Sequence, residues 1–203
     1  MGQAGFYILH DDEEEAIAGL PQGDYDVPLG LTSKRYNPDG SLWSPEANGE
    51  TTNLFGDVIH VNGQPWPYFK VEPRKYRFRF LDASISRSFQ LYFEQATKVG
   101  TRLNFKVVGS DAGLLLNPVD TTQLDISMAE RWEVVFDFTN YKNSNVTLRS
   151  NKKVADNTDY LHTDKIMQFV VGDKVTPNVD TKGNSNLPAK LRDVPFPPAH
   201  ATV

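Results

Sequence analysis

Short segments in which apolar and polar residues alternate, separated by Gly, Pro, Asn and Asp, run through most of this 203-residue sequence. In the segment KYRFRFLDAS, Tyr76, Phe78 and Phe80 share one face of an extended chain, and Arg77 and Arg79 share the other. A period of two residues predicts a half-buried β-strand. About nine such segments at short spacing, with turn residues between them, predict an all-β sandwich or barrel.

The alternating segments continue to about residue 172. From Asp173 onward the sequence is rich in Pro, Lys, Asn and Thr and has no periodicity. We therefore expect residues 173–203 to form an irregular, Pro-rich tail or linker and not a second core. The predicted strands lie in GFYILHD, DYDVPLGLTSKRY, DVIHV, KYRFRF, SRSFQLYFEQ, LNFKVVGSD, TTQLDISM, RWEVVFDF, NVTLRS and DKIMQFVVG.

Aromatic residues supply most of the expected core, since the chain has twelve Phe, eight Tyr and three Trp, and each ring buries a large apolar area. The net charge of −5 argues against sequence-independent electrostatic binding to nucleic acid or to an anionic membrane. No run approaches the roughly eighteen apolar residues of a membrane span. We therefore expect neither a nucleic-acid partner nor a membrane partner.

Cysteine is absent from the sequence. Disulfides, thiolate zinc sites, iron–sulfur clusters and cysteine nucleophiles are therefore excluded. A blue-copper electron-transfer site is excluded as well, because that site needs a Cys thiolate beside two His.

Four histidines, His10, His60, His162 and His200, are the candidate metal ligands. A metal site normally brings two or more ligands together on one element, for example as His-x-His on a strand. No two of these histidines stand at such a spacing. A surface or capping role is therefore the favoured interpretation for each of them, and a metal site would require convergence in the tertiary structure.

His60 lies in the segment GDVIHVNGQPWPYF, two residues before Asn62-Gly63, which is a strong hairpin signal. Alternation places His60 on the same face as Val58. The pattern predicts a partly exposed histidine that hydrogen-bonds a neighbour.

Four other features carry weaker signals. Asp111 follows a predicted strand and is expected to bind its own turn amides, with a catalytic acid as the alternative. The triplet Asn145-Val146-Thr147 makes Asn145 a candidate N-glycosylation acceptor. The acidic run Asp11 to Glu15 predicts a solvated turn or the start of a short helix. KYRFRF interleaves bases with aromatics, as oligonucleotide-binding strands do, but arginines that face solvent or an ion pair explain it with fewer assumptions.

Two long segments resemble one family. GDVIHVNGQPWPYFKVEPRKYRFRFLDASISRSFQLYF is similar to the middle domain of multicopper oxidases, with an Asn-Gly turn and a proline leading into an Arg-rich strand and a Leu-Asp-Ala turn. VVGSDAGLLLNPVDTTQLDISMAERWEVVFDF is similar to the next block of the family, which ends in a Glu-Arg-Trp step into a long strand. The resemblance runs from about Gln3 to Pro197 and is strongest to the bilirubin oxidase-like and laccase-like branch.

The resemblance implies a cupredoxin-like, or plastocyanin-like, Greek-key β-sandwich. Residues 1–172 would form a copper-free middle domain, in which residues 1–20 resemble the end of a preceding domain and its linker. Residues 173–203 would be an extended linker towards a third domain. The family holds its copper through His-x-His and His-Cys-His motifs in the first and third domains, and none of these motifs occurs here. We accordingly assign no catalytic, cofactor-binding or metal-ligating residue to this chain.

By this resemblance the chain would hold the outer domains in place and line part of the substrate pocket. Its partners would be the first and third cupredoxin domains of a secreted parent enzyme. That copper-containing parent would oxidise bilirubin-like or phenolic donors and reduce dioxygen to water, whereas the chain alone is expected to be inactive.

Two other hypotheses stay open. One is a stand-alone ligand-binding or interaction module without redox activity, which would use Trp43, Trp66 and Tyr68 to hold a sugar or a hydrophobic ligand. The other is an atypical metal enzyme built from histidines and carboxylates.

Overall fold

Thirteen β-strands and one short α-helix form the regular structure of residues 3–49, 54–155 and 159–193, the part of the chain that the computed structural model describes. Short 3₁₀ turns lie at Gly23–Tyr25, Glu46–Asn48 and Thr139–Tyr141. The helix and strands are α1 (Asp12–Ala16), β1 (Asp26–Lys34), β2 (Val58–Val61), β3 (Gln64–Pro65), β4 (Tyr68–Val71), β5 (Lys75–Asp82), β6 (Phe89–Gln95), β7 (Arg102–Leu103), β8 (Phe105–Ser110), β9 (Gly113–Thr121), β10 (Leu124–Ile126), β11 (Arg131–Asp137), β12 (Asn145–Ser150) and β13 (Lys165–Val171).

The strands form two mixed sheets. The first sheet has seven strands in the order β3-β2-β1-β5-β11-β8-β9, and the second has the order β10-β6-β12-β13-β4 with β7 paired to β6. Most neighbours are antiparallel, but β1 runs parallel to β5 and β13 runs parallel to β4. This arrangement confirms the predicted all-β sandwich.

Aromatic side chains from both sheets fill the space between them. Phe78 of the first sheet lies 5.0 Å from Phe169 of the second, measured between ring centroids, and Phe93 stacks on Phe136 at 4.3 Å. Phe78, Phe136 and Phe169 are fully buried. The period of two in the sequence therefore identified the residues of the core, because the face that alternation made aromatic is the face that meets the other sheet.

The hairpin turn at Asn62-Gly63 also forms as predicted. Both residues have positive φ, 49° and 83°, which is the conformation that favours Asn-Gly in two-residue hairpin loops. The Asn62 side chain accepts a hydrogen bond from Gly30 N (2.7 Å) and donates one to Pro28 O (2.9 Å). These two bonds tie the hairpin to β1.

The first predicted strand is wrong. Residues 5–11, GFYILHD, pair with no strand among the described residues. Phe6 lies over Gly30 on the outer face of β1, so this segment packs across a sheet and does not join one. Four strands were missed. β3 and β7 have only two residues each, and prolines and an unbroken apolar run mask the alternation of β4 and β9.

Residues 173–193 contain no helix or strand, yet they are docked on the sandwich. Leu191 is buried with Leu20, Val108, Leu114 and Val135 in a second, smaller apolar cluster on the outer side of the first sheet. The division of the chain at residue 172 stays a prediction, and residues 194–203 lie outside the described residues.

Candidate functional site

A buried cluster of five charged side chains lies on the outer face of the seven-stranded sheet. Arg77 donates to Glu14 (2.8 Å) and to Glu133 (3.1 Å from Nε). Arg79 donates to Glu14 (2.9 Å), to Asp26 (2.8 Å) and to Glu133 (2.8 Å). Arg77 is 1% exposed and Arg79 is 6% exposed. We call these five residues the ion cluster.

Strand register and one helix cap place the members of the ion cluster. Asp26 is the partner of Arg77 where β1 runs beside β5, and Glu133 is the partner of Arg79 where β11 runs beside β5. Asp11 caps α1 by accepting a hydrogen bond from Glu14 N (2.8 Å), and an Asp at this position is a strong helix start. The acidic run is therefore the helix start that was predicted, but it is not fully solvated, because Glu14 is buried.

The arginines set the charge state of this site. Burial opposes ionisation of Glu14, but hydrogen bonds from Arg77 and Arg79 outweigh it and lower the pKa of that carboxyl. Burial likewise works against the charge of Arg79, and its contacts with Asp26 and Glu133 raise the pKa of that guanidinium overall. Both shifts favour the charged forms of Glu14 and Arg79. Of the two alternatives for the arginines of KYRFRF, solvent or an ion pair, the ion pair forms.

One group of metal-ligand type is found among the described residues. His10, Glu14 and Asp26 each place a ligand atom within 4.8 Å of the others. The Glu14 and Asp26 oxygens already accept hydrogen bonds from Arg77 and Arg79. A cation at this point would lie against two buried guanidinium groups, so the arrangement favours ion pairs between side chains over a metal.

His60 is 2% exposed, so the expectation of partial exposure is wrong. Its Nδ1 lies 3.1 Å from the Val58 carbonyl and its Nε2 lies 2.9 Å from the Tyr36 hydroxyl. A carbonyl only accepts, so Nδ1 carries the proton and Nε2 accepts from Tyr36. Burial lowers the pKa of His60, which keeps the ring neutral. Both ring nitrogens are therefore engaged, Nδ1 within β2 and Nε2 with Tyr36 of the segment after β1.

The remaining predicted residues do not meet in one place. His162 is exposed beside Lys165, and His200 lies outside the described residues. Asp111 does not bind its own turn amides; it accepts from Arg131 N (2.7 Å) and pairs with the Arg131 side chain at 3.2 Å. A catalytic role for this exposed carboxylate gains no support from those contacts.

The segments before β1 and after β13 lie side by side on the outer face of the first sheet. Gly19 N donates to Lys182 O (2.8 Å), and Lys182 Nζ donates to Glu15 O (3.2 Å). Arg192 pairs with Asp11 and, at 3.3 Å, with Glu13. The two segments are therefore held to each other as well as to the sandwich.

Arg74 holds the segment after β13 on the sandwich. Its side chain is 1% exposed, and it donates to Val179 O (2.8 Å) and Asp180 O (2.6 Å). The same guanidinium lies 3.6 Å from the centre of the Tyr25 ring, just before β1. One buried arginine thus contacts both segments, a role that its place in the loop sequence EPRK did not indicate.

The three aromatic residues of the ligand-binding hypothesis do not share one cavity. Trp43 lies under the Arg35 guanidinium at 4.3 Å and lines a cavity beside β1. Trp66 and Tyr68 are exposed and do not line that cavity. A ligand surface built from all three stays a prediction. In the described residues no helix is long and apolar enough to cross a bilayer.

Comparison with known proteins gives one consistent family. Residues 36–166 match the family described as multicopper oxidase. A bilirubin oxidase from Albifimbria verrucaria is 55% identical over 97% of this chain and 34% of its own length. A laccase from Bacillus subtilis is 35% identical over 96% of this chain and 38% of its own length. The chain therefore spans about a third of the length of the curated relatives it matches.

Solved structures agree with the sequence relatives. The McoA multicopper oxidase from the hyperthermophile Aquifex aeolicus superposes with a TM-score of 0.75 at 26% identity, covering 95% of this chain and 40% of that one. A laccase from Pediococcus acidilactici superposes with a TM-score of 0.70 at 28% identity, covering 92% of this chain and 35% of that one.

Proposed function

The chain belongs to the multicopper oxidase family, and we propose that it is a copper-free middle domain of an enzyme related to bilirubin oxidases and laccases. One observation carries the proposal: a chain that covers about a third of its relatives contains no cysteine and no pair of histidines at ligand spacing. The ligands for blue copper must then come from other parts of the enzyme.

The residues of this chain do not fit copper. The sequence offers no thiolate. In the described segments, His60 has both ring nitrogens engaged, and the carboxylates near His10 are held by arginines. Soft Cys and neutral His are the ligands that blue copper uses. The parent enzyme would supply copper for electron transfer from a bilirubin-like or phenolic donor to dioxygen, and no step of that transfer is assigned to a residue here.

The function that we propose for the domain is mechanical. It would orient the first and third domains and contribute part of the wall of the substrate pocket. Support comes from the segments that flank the sandwich, since both are docked on one sheet by Arg74, by the ion cluster and by the smaller apolar cluster. Connecting segments that are docked on a domain hold the neighbouring domains in a fixed orientation, whereas flexible linkers do not.

Copper titration of the purified chain tests the copper-free assignment. We expect no intense blue absorption and no stoichiometric copper by elemental analysis after gel filtration. We also expect no dioxygen consumption with a phenolic donor. A blue band, or one tightly held copper per chain, would overturn the proposal.

Replacement of the matching third of the Albifimbria verrucaria bilirubin oxidase with this chain tests the mechanical role. We expect the chimera to bind copper and to oxidise its donor. The matched control carries Arg74→Met in the same chimera, which removes both carbonyl contacts of that guanidinium, and it should lose activity while keeping a folded middle domain. An active Arg74→Met chimera would argue against orientation by the docked segments.

We further propose that the parent enzyme is secreted and that Asn145 carries an N-glycan. Asn145 is the first residue of β12 and is partly exposed, and Thr147 follows two residues later on the same strand. Expression through a eukaryotic secretory pathway should add a glycan mass that Asn145→Gln removes. An unchanged peptide mass in the wild-type chain would contradict this proposal.

A further inference from the structure

A cavity of about 480 Å³ lies beside the end of β1, and described residues near both ends of the β1–β2 connection line it. Sites for small organic ligands in proteins typically enclose roughly 300–1,000 Å³. Its apolar walls are formed by Leu42, Trp43, Pro45, Leu54, Phe55 and Ile85.

The charge of this cavity is opposite to that of the chain. Among the described residues, Lys34 and Arg35 are the charged members of its lining, and both are cationic, although the whole chain carries −5. Arg35 is held over Trp43, and Lys34 is half-buried. Another cavity differs, since Asp24, Lys70 and Glu72 all line it.

One buried hydroxyl belongs to the lining of the cavity. Ser33 lines it and is 9% exposed, and its Oγ has no hydrogen-bond partner among the described residues. Buried polar groups in proteins are nearly always hydrogen-bonded, so this hydroxyl offers a contact for a polar substituent of a ligand.

The wall around Ser33 is rigid before any ligand arrives. Gly56 packs directly on the backbone of Ser33 and Lys34, where a Cβ would collide. The buried Arg87 donates to Gly56 O (2.7 Å) and forms two hydrogen bonds with Asp159 (2.7 and 2.9 Å). A preformed wall lowers the entropy cost of binding.

We propose that this cavity binds a small planar aromatic anion. The ring would pack against Trp43 and the neighbouring apolar wall, the anionic group would pair with Lys34 at the rim, and a hydroxyl or carbonyl would reach Ser33. The inference goes beyond the copper-free middle-domain role and does not depend on it, since all groups involved belong to this chain. A failed copper or chimera experiment would therefore leave it standing.

Titration of the purified chain with 2-naphthoate tests the site, with quenching of tryptophan fluorescence and calorimetry as the two readouts. We expect saturable one-to-one binding. The uncharged isostere 2-naphthalenemethanol should bind about fivefold more weakly, which is the value of one partly exposed ion pair. Equal affinity for the two compounds would overturn the assignment of Lys34, and no saturable binding of 2-naphthoate would overturn the site.

Matched variants locate the binding. Lys34→Gln should weaken 2-naphthoate binding about fivefold, whereas Lys70→Gln, on the other cavity, should leave it unchanged. Trp43→Leu should abolish binding, and Trp66→Leu should not. Because Trp43→Leu risks a change in folding, Ile85→Glu provides a second test: Ile85 is 57% exposed, and a carboxylate there should repel the anion. Unaltered affinity in Ile85→Glu and Lys34→Gln would contradict the proposal.

Discussion

Strand β5 buries both of its faces, but with opposite chemistry. On one face Tyr76, Phe78 and Phe80 enter the aromatic core between the sheets. On the other face Arg77 and Arg79 enter the ion cluster, at almost the same low exposure. Burial alone therefore does not distinguish the two faces. They differ in the neighbours that they need, apolar side chains on one face and oppositely charged groups on the other.

An aromatic face is stabilised by area removed from water, which any well-packed apolar neighbour supplies. A buried charge loses its hydration and is tolerated only where partners of opposite sign and correct geometry are present. Arg77 and Arg79 meet this requirement through three carboxylates that come from α1, β1 and β11. The ion cluster thus depends on α1 being in place, since Glu14 contacts both arginines.

The largest expected effect is on the aromatic face. Phe78→Ala removes a fully buried ring that contacts Tyr76, Phe93, Phe138 and Phe169, and should lower the free energy of unfolding by about 3–5 kcal/mol. Urea unfolding followed by circular dichroism measures this. Phe78→Leu, the control, keeps most of the apolar volume and should lose clearly less. Equal losses would mean that packing at this position is not what stabilises the sandwich.

The second effect is on the opposite face. Arg77→Met leaves Glu14 and Glu133 without one of their partners and should cost about 3 kcal/mol at neutral pH, the low end for a broken buried pair, because Arg79 still contacts both. Hydrogen exchange of residues 11–22 should rise in parallel, since Glu14 ties α1 to the sheet.

The same variant has a pH dependence with a fixed sign. The pKa of Glu14 is lowered in the folded protein despite burial, through its hydrogen bonds with Arg77 and Arg79. The stability that Glu14 contributes is therefore fully present above the pKa of this carboxyl in the unfolded chain. It is lost as the pH falls through the pKa in the folded protein. The stability gap between wild type and Arg77→Met should narrow over that acid range. A constant gap would show that the arginine acts by packing alone.

The third effect concerns Asp82, which ends β5 in register with the aromatic face and has an oxygen without a partner. Burial raises the pKa of this carboxyl from 3.8 to about 6, against hydrogen bonds from Ser84. Between these two values the folded state binds more protons than the unfolded state, so stability falls as the pH rises. Asp82→Asn should therefore stabilise the protein at pH 8, by up to about 3 kcal/mol. The gain should vanish near pH 4 in thermal unfolding, and destabilisation at pH 8 would contradict this account.

The smallest effect is expected where an ion pair is exposed. Lys106 and Asp120 pair at 2.7 Å between β8 and β9, with side chains 41% and 58% exposed. Lys106→Gln should change the free energy of unfolding by less than about 1 kcal/mol, because water already solvates both charges. A loss of stability as large as that of Arg77→Met would show that burial does not determine how much an ion pair contributes.

Much of the fold could be predicted because alternation is a local property. The aromatic face of β5, the strands from β5 to β13 other than β7 and β9, and the Asn62-Gly63 turn were all recognisable from neighbouring residues. The first predicted strand was wrong because an apolar segment joins a sheet only where a free strand edge lies beside it. Here Phe6 packs on Gly30 of β1 instead. β9 was missed because Pro118 and a run of three leucines interrupt its alternation.

The site was less predictable for the same reason. His60 was expected to hydrogen-bond a neighbour, and it does, but its burial depends on Tyr36, which is 24 residues away in the chain. The ion cluster joins Glu14 to Arg77 across 63 residues, and no spacing rule links such positions. The cavity beside β1 likewise requires residues 42–45, 54–56 and 83–85, which are distant in the sequence, to come together.

The sequence by itself determined the β-sandwich, its aromatic core and the exclusion of thiolate chemistry, since periodicity and composition act through adjacent residues and through which side chains exist at all. Only the tertiary structure decided which charges are buried, which histidine nitrogens are engaged and where a cavity with cationic lining forms. Those outcomes depend on desolvation and on contacts between distant segments, and both are set when the sheets, α1 and the docked C-terminal residues come together.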